Sequence, residues 1–332
     1  MGFEHYRVIL KLLSPLHIGK RKYRNLMETR EYVPGRTLWG ALTARIVRDY
    51  FDGESKKYEK IGKFLNENFR FGYFWPAVES DVSQSEFRKF KIYFPWESEK
   101  KADKEKHGKL EFIYEFVKPE YFDYLLKSGY MGQPIDYTRG ATEEGQLHEA
   151  EFIAPKTRDG RQVYLMGDLW VSDKNGFIES KDPLKVKIEG KTINLAEVFN
   201  SIQIGGERNY GWGRVKCEGL KLHNGDALGG IKVDGTDADV TLEFPENSRL
   251  TAHALAAEWD DSKPVSKGVI KGEVEPLSGY FWGEKDWALH SPPICYIPGS
   301  KLIKAQELKI VKFGILSQNK ISNFLAKNTA KR

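Results

Sequence analysis

The chain has 332 residues, 52 Lys plus Arg against 47 Asp plus Glu (formal net charge +5), 40% apolar and 13% aromatic residues. The length points to about two domains, and the apolar content is too high for a disordered chain. No apolar run approaches the roughly 18 residues that span a bilayer, and two cysteines, Cys217 and Cys295, exclude a disulfide framework and a four-thiolate zinc site.

The charge is unevenly placed. Residues 1–48 hold 10 basic and 3 acidic side chains, residues 301–332 hold 8 and 1, and the stretch between is net −9. Two basic ends around an acidic middle suggest two local surfaces for a polyanion. Val8-Ile9-Leu10 is interrupted by Lys11 and lacks a cleavage site, so it does not read as a signal peptide. A cytoplasmic globular protein with no metal, cofactor or membrane partner is the expectation.

In chain order, residues 6–13 predict a strand with Tyr6, Val8, Leu10 and Leu12 on one face, ended by Ser14-Pro15. A basic loop runs from His17 through Lys20, Arg21, Lys22 and Arg24 to Arg30, followed by the turn signal Pro34-Gly35. Leu38, Leu42 and Ile46 predict a helix over 37–51, with Arg45 and Arg48 facing solvent. Aromatic-rich strands follow at 69–75, 90–96 and 110–117, the Lys/Glu-rich stretch 97–109 reading as a solvated loop.

A short helix is predicted at 119–126, a hairpin from 148–154 and 161–171 around Thr157 to Gly160, and a helix near 194–201. The tripeptide Gly190-Lys191-Thr192 reads as a hairpin turn, because Lys185 stands where a phosphate loop needs its first Gly. After a strand at 214–222, the Gly- and Asp-rich stretch 223–238 marks a domain boundary, giving 1–225 and 226–332. The second part reads as mainly strands, at 239–244, 268–275 and 307–316, with a frayed basic tail at 326–332. Strands mixed with a few helices, without regular alternation, predict an α+β fold.

Two segments carry candidate chemistry. Gly205, Gly206, Gly211 and Gly213 fall within nine positions, flanked by Arg208 and Arg214 and interleaved with Tyr210 and Trp212. Such a run suits a nest of backbone N–H groups aimed at one anion, with Arg forks and stacking faces beside it. It equally suits a bulged connection whose glycines only permit close packing. The second segment is the basic loop: Lys20, Arg21, Lys22, Arg24, Arg30 and the neighbouring Arg36 stand beside His17 and Tyr23. A cluster of this kind gives salt-dependent contact with a phosphate backbone, or is simply a solvated loop. The acidic trio Asp234, Asp237 and Asp239 lacks the spacing of a calcium loop, and the seven histidines show no zinc pairing.

These segments, in this order, resemble the RAMP superfamily of CRISPR-associated proteins. Leu13-Ser14-Pro15-Leu16-His17-Ile18-Gly19 resembles its first strand and loop. Tyr32-Val33-Pro34-Gly35-Arg36-Thr37-Leu38-Trp39-Gly40-Ala41-Leu42 resembles the opening of its first helix. Gly205 to Val215 resembles its signature G-G-x-R-x-x-G-x-G-x-V, and Met166-Gly167-Asp168-Leu169 the segment before it. The likeness covers about residues 1–222; later, Tyr296-Ile297-Pro298-Gly299-Ser300 echoes the Pro34-Gly35 turn without a helix start after it.

The resemblance implies tandem ferredoxin-like, RRM-related domains with a glycine-rich loop. It also implies a subunit of a type III effector complex that holds CRISPR RNA beside other RAMP subunits and a large polymerase-like subunit, most like the subtype III-D subunit related to the 5′-handle binders. The residues it marks for RNA are His17, Lys20, Arg21, Lys22, Arg24, Arg36, Gly205, Gly206, Arg208, Tyr210, Gly211, Trp212, Gly213 and Arg214. Some family members cleave precursor RNA with an N-terminal histidine; His17, with His5 behind it and Lys20 or Lys22 beside the phosphate, is the counterpart here. Those enzymes carry their glycine loop near the C-terminus, whereas over a hundred residues follow it in this chain, so a non-catalytic role is the expectation. The target-cutting loop aspartate of other members has no counterpart in 20–31, which holds only Glu28 and Glu31. A scaffold that touches only protein is the remaining alternative.

Overall fold

The computed structural model describes residues 2–80, 88–97, 104–132, 135–136, 141–142, 148–234, 239–282, 287–289 and 292–318. The opening strand β1 (Phe3–Leu12) is buried on both faces rather than one. Tyr6, Val8, Leu10 and Leu12 point into one apolar core, and His5, Arg7 and Ile9 into the opposite side. The basic segment after it is a hairpin, β2 (Gly19–Tyr23) and β3 (Leu26–Thr29), not a loop.

Helix α1 (Gly35–Tyr50) then buries Leu38, Leu42 and Ile46, the stripe its spacing predicted, with Val47 beside it. A second helix, α2 (Ser55–Asn68), lies against it. The close approach uses Gly62, whose missing side chain admits the Trp39 ring while Trp39 Nε1 donates to the Gly62 carbonyl at 2.9 Å.

The strands β4 (Phe69–Phe71), β5 (Trp75–Glu79), β6 (Arg88–Phe94), β7 (Lys104–His107) and β8 (Leu110–Phe116) follow. Then come α3 (Pro119–Leu126), β9 (Lys127–Gly132), the two-residue pair β10 (Ile135–Asp136) and β11 (Ala141–Thr142), β12 (His148–Ile153) and β13 (Val163–Ser172). A three-stranded meander β14 (Ile178–Lys181), β15 (Leu184–Ile188) and β16 (Lys191–Asn194) turns at Gly190 as predicted. Helix α4 (Leu195–Ser201), N-capped by Asn194, and β17 (Val215–Leu222) complete this part.

The main sheet has the order β17-β1-β13-β5-β6-β8-β7, with β4 also on β13. A smaller sheet has the order β2-β3-β12-β9. Two further sequence expectations are corrected. Strands β12 and β13 do turn tightly at 155–163, where Lys156 bridges Gln162, but they enter different sheets instead of pairing. Within the stretch read as a solvated loop, residues 104–107 form an edge strand on β8, and Glu105 reaches Arg7 and Tyr114. Buried charge at Arg7 recruits that edge, since a buried cation must find carboxylates.

Beyond β17 the described residues hold strands and one short 3₁₀ turn but no α-helix. The strands β18 (Lys232–Asp234), β19 (Thr241–Phe244), β20 (Ala254–Leu255), β21 (Ile270–Lys271) and β22 (Val274–Pro276) come first. They are followed by β23 (Tyr280–Trp282), β24 (Trp287–Leu289), β25 (Ile294–Tyr296), β26 (Lys301–Leu302), β27 (Gln306–Ile310) and β28 (Leu316–Gln318). Seven of them make the sheet β18-β19-β27-β28-β20-β25-β22. The echo at Pro298-Gly299 leads into β26, not a helix. The basic tail 326–332, Asp237 and the side chains of Trp282 and Trp287 lie outside the described residues.

The second sheet covers the face of the main sheet opposite the helices. Ile9, Trp75, Phe94, Met166 and Trp170 share one core with Leu242, Leu250, Ala254, Leu308 and Leu316. The helices close the other face around Leu10, Leu165 and Leu169. The result is three layers: helices, main sheet, second sheet.

A buried polar cluster fastens the outer layer. Arg7, 1% exposed, donates from Nε to Asp168 Oδ1 at 2.8 Å and from Nη2 to the Asp226 carbonyl at 2.9 Å. Asp168 also accepts the Leu228 N–H at 2.6 Å and meets His5 Nε2 at 2.9 Å. Arg7 and His5 hold the Asp168 carboxyl well below the usual range, overcoming its burial. Burial lowers His5, outweighing the pull of Asp168. Opposite charges in register (Arg7 faces Asp168 across β1 and β13) thus anchor 223–228, the stretch that leads into the second part.

Candidate nucleic-acid interface

The two glycine- and charge-rich segments meet in space. Residues 13–17 and 203–214 are stitched together by backbone hydrogen bonds: Leu13 N–H to Arg214 O at 2.9 Å, Gly213 N–H to Pro15 O at 2.7 Å and Gly206 N–H to His17 O at 2.9 Å. Arg214 N–H donates to Ser14 Oγ at 2.9 Å. Within the turn, Tyr210 and Trp212 N–H donate to Glu207 O and Gly211 N–H to Arg208 O. The amides of 206 and 210–214 are therefore committed inside the protein, which corrects the expectation of a nest pointing them at one anion. They stabilise the turn instead.

Glycine is required for backbone geometry. Gly205 and Gly213 have φ of 84° and 73°, and a Cβ at either would overlap a carbonyl, that of His17 or of Ile204. The side chains of the turn divide. Tyr210 is 67% exposed and Arg208 and Arg214 face solvent. Trp212 is buried with its ring edge-on to Phe152 at 5.0 Å, so it serves as packing rather than an open stacking face.

His17 is 6% exposed, its Nδ1–H donating to the Glu151 carbonyl at 2.7 Å. Arg30, counted with the basic segment, is also buried. It donates from Nη1 to Glu275 and to Tyr32 Oη, the latter at 3.1 Å. The hairpin behaves differently. Every residue from Gly19 to Asn25 is exposed. Lys20 pairs with Glu31 at 3.0 Å and Arg21 with Glu28 at 2.6 Å, while Lys22 and Arg24 have no ion pair among the described residues. Arg24 lies over the Tyr23 ring, which is itself 64% exposed.

A cavity of about 850 Å³ opens between α1, α2, the glycine turn and the 3₁₀ turn at 312–314. Its floor is one stripe of α1: Arg36, Gly40, Ala44 and Arg48, spaced by four residues. Gly40 and Ala44 leave the floor bare between two arginines about 18 Å apart along the axis. Lys63, Arg208 and Lys312 add positive charge against Glu59, Glu67 and Asp260. Lys63 pairs with Glu59 at 2.6 Å and Lys312 with Asp260 at 2.7 Å. Trp39 and Tyr58 supply aromatic wall.

A second cavity of about 290 Å³, lined by Gly19, Arg30, Gly206 and Leu277, shares Arg36, Thr37 and Gly205 with the first. The two form one groove passing Arg36. The Arg36 guanidinium lies over Phe313 at 5.0 Å and donates to the Leu277 carbonyl at 3.4 Å. Burial pulls it down to about 10, so it stays charged at neutral pH.

Of the residues marked from sequence, the structure brings Arg36, Gly205, Gly206 and Arg208 to this groove. Tyr210 and Trp212 line a separate recess of about 240 Å³ with Tyr130 and His148. Lys20, Arg21, Lys22 and Arg24 stand on the hairpin outside the three recesses, where Gly19 alone of that strand reaches the groove. Sequence reading passed over Arg48, Lys63 and Tyr58; the signal was the i, i+4 run of small residues between Arg36 and Arg48. Among the described residues, no group of three or more His, Cys, Asp or Glu could hold a metal ion, and no helix is long and apolar enough to cross a membrane.

An α+β chain in which the first-strand segment, the first-helix opening and the glycine turn are joined around one groove is the class defined by this geometry. The chain belongs to the RAMP superfamily, whose family model matches residues 9–216. No curated protein sequence matches it. Among solved structures, a chain from the cryo-EM structure of the Type III-B Cmr-beta bound to cognate target RNA and AMPPnP, state 1, is similar over 98% of this chain and 92% of its own, at 14% identity and a TM-score of 0.44. A chain of the Type III-B Cmr-beta bound to cognate target RNA covers 64% of this chain and 96% of its own, at 11% identity and a TM-score of 0.37. The crystal structure of a CRISPR protein from Archaeoglobus fulgidus covers 96% and 99%, at 12% identity and a TM-score of 0.30.

Proposed function

We propose that this chain is a non-catalytic subunit that binds CRISPR RNA in a type III effector complex, beside other RAMP subunits and a large polymerase-like subunit. The observation that carries the reading is the groove along α1, floored by small residues, ended by Arg36 and Arg48 and bordered by Arg208. Its bare floor suits a flexible strand whose phosphates meet arginine forks and whose bases meet aromatic walls. The exposed cations Lys20, Arg21, Lys22 and Arg24 extend the positive surface along the adjoining hairpin. The enclosed His17 ring, oriented by a backbone carbonyl, fits a structural role better than acid–base work.

The order β17-β1-β13-β5, with α1 and α2 after β1 and α4 after β13, has the connectivity of a ferredoxin-like β-α-β-β-α-β unit. We read residues 1–225 as that unit and 226–332 as a second, mainly β unit completing the tandem. Titrating full-length protein with repeat-derived and scrambled single-stranded RNA across a salt series tests the function. The reading predicts binding that weakens steeply with salt; salt-independent or undetectable binding overturns it.

A further inference from the structure

The groove is walled on one side by residues 277–279, which follow β22. Glu275, in β22 just before this wall, sits at the centre of a buried chain of polar groups. Its carboxylate accepts from Arg30 Nη1 and from His253 Nε2, the latter at 2.6 Å. The Tyr73 hydroxyl donates to His253 Nδ1 at 2.7 Å, which leaves Nε2 as the donor to Glu275. Arg30 also donates to Tyr32 Oη at 3.1 Å and to the Gly19 carbonyl at 3.2 Å.

The chain runs from the hairpin base, through the segment that opens α1, to the second sheet. Two residues beyond Glu275, the Leu277 carbonyl accepts from Arg36, and Gly279 lies so close to the Arg36 guanidinium that a Cβ would strike it. Arg36 is thus confined between Phe313 and the 277–279 wall, which begins two residues after Glu275.

We infer that Glu275 is a positioning residue for the groove: held by Arg30 and His253, it places the 277–279 wall and thereby aims Arg36 at bound RNA. The carboxylate does this without touching the ligand. Depressed to about 2 by its two donors, it remains charged and paired over the whole neutral range. This inference rests on the RNA-binding reading and adds a dependence that reading does not require.

The test is a double-mutant cycle in full-length protein, with affinity for a single-stranded repeat RNA as the readout and thermal midpoints measured alongside. Arg36→Ala in the native background is expected to weaken binding about tenfold, whereas after Glu275→Ala it should cost less than about twofold, a coupling of the size seen for residues in contact. Glu275→Gln keeps an acceptor for both donors and should restore most of the Arg36 effect. If Glu275→Ala does not fold, Glu275→Asp takes its place, with an intermediate coupling expected. Additive losses from Arg36 and Glu275 in folded variants overturn the inference while leaving RNA binding intact. Absence of RNA binding by the native chain overturns the functional reading itself.

Discussion

The β2–β3 hairpin and the glycine turn at 205–214 carry similar sequence signals, yet they are built in opposite ways. The hairpin exposes every side chain from Gly19 to Asn25 and spends few of them internally. The glycine turn commits the amides of 206 and 210–214 to residues 14–17 and to itself, and its glycines exist to let two backbones touch. Basic and glycine-rich stretches both read as phosphate sites in sequence. In three dimensions the first offers charge, and the second provides the geometry that holds a groove open. The comparison can be broken by substitutions that separate stability from RNA affinity.

The largest effect is expected behind the groove, where the buried cluster fastens the second sheet. Asp168→Ala leaves Arg7 buried without its main partner and should cost about 3–5 kcal/mol in denaturant unfolding. This cluster and the polar chain around Glu275 together set a pH dependence. His5 and His253 are lowered by burial, and Asp168 and Glu275 by the groups that hydrogen-bond to them, among them Arg7 and Arg30. In each case the unfolded chain binds the proton more readily. Stability should therefore be full above pH ~6.5 and fall on acidification, first as unfolded histidines protonate and further below pH ~4.5 with the carboxylates. Thermal midpoints measured from pH 8 to 3 check the direction; a rise on acidification contradicts it.

Next comes the turn. Gly213→Ala forces a side chain into the Ile204 carbonyl at positive φ and should destabilise by about 2–3 kcal/mol. Any protein that remains folded is expected to bind RNA with near-native affinity, because the Gly213 amide is already committed to Pro15. A stable Gly213→Ala protein with abolished RNA binding would reverse the roles assigned to turn and hairpin.

The hairpin should behave the other way. Replacing Lys20, Arg21 and Lys22 by Ala is expected to leave the thermal midpoint unchanged while weakening RNA binding about tenfold or more. The slope of log K against log salt should drop by about 2, as three phosphate contacts to a single strand would require. The smallest effect is at Arg208, a single exposed cation at the rim: Arg208→Ala should weaken binding about two- to fivefold, measured by the same titration.

Much of this architecture was legible in the sequence where the signal is local. The α1 stripe, the Gly190 turn, the C-terminal end of β1 and the edges of β8 and α3 follow from periodicity and from Pro and Gly placement. Helix α2 was not read, because Tyr58, Ile61 and Leu65 are thinly spread among four lysines, and its apolar face makes sense only against Trp39. The pairing of β12 and β13 was misassigned for a related reason. Their turn is local, but each strand is captured by a distant partner, β9 in one case and β1 in the other.

At the site, Arg36 and Arg208 were legible as cations near glycines, and the structure brings them to one groove. The fate of Arg30 was not, since nothing in its neighbourhood announces that Glu275, far along the chain, will bury it. Charge counting likewise treated all basic residues in the first 48 alike. Burial separates Arg7 and Arg30, which hold the layers together, from the hairpin cations, which are exposed.

The central claim is that RNA lies in the groove between α1 and the glycine turn. Ultraviolet crosslinking of a bound single-stranded repeat RNA to the full-length protein, with the attached peptides identified by mass spectrometry, tests this most directly. The account predicts crosslinks on Trp39, Tyr58 and the residues around Arg208, with the hairpin Tyr23 as a further site. Crosslinks confined to the second sheet, or absent from α1, α2 and the glycine turn while RNA is bound, would contradict it.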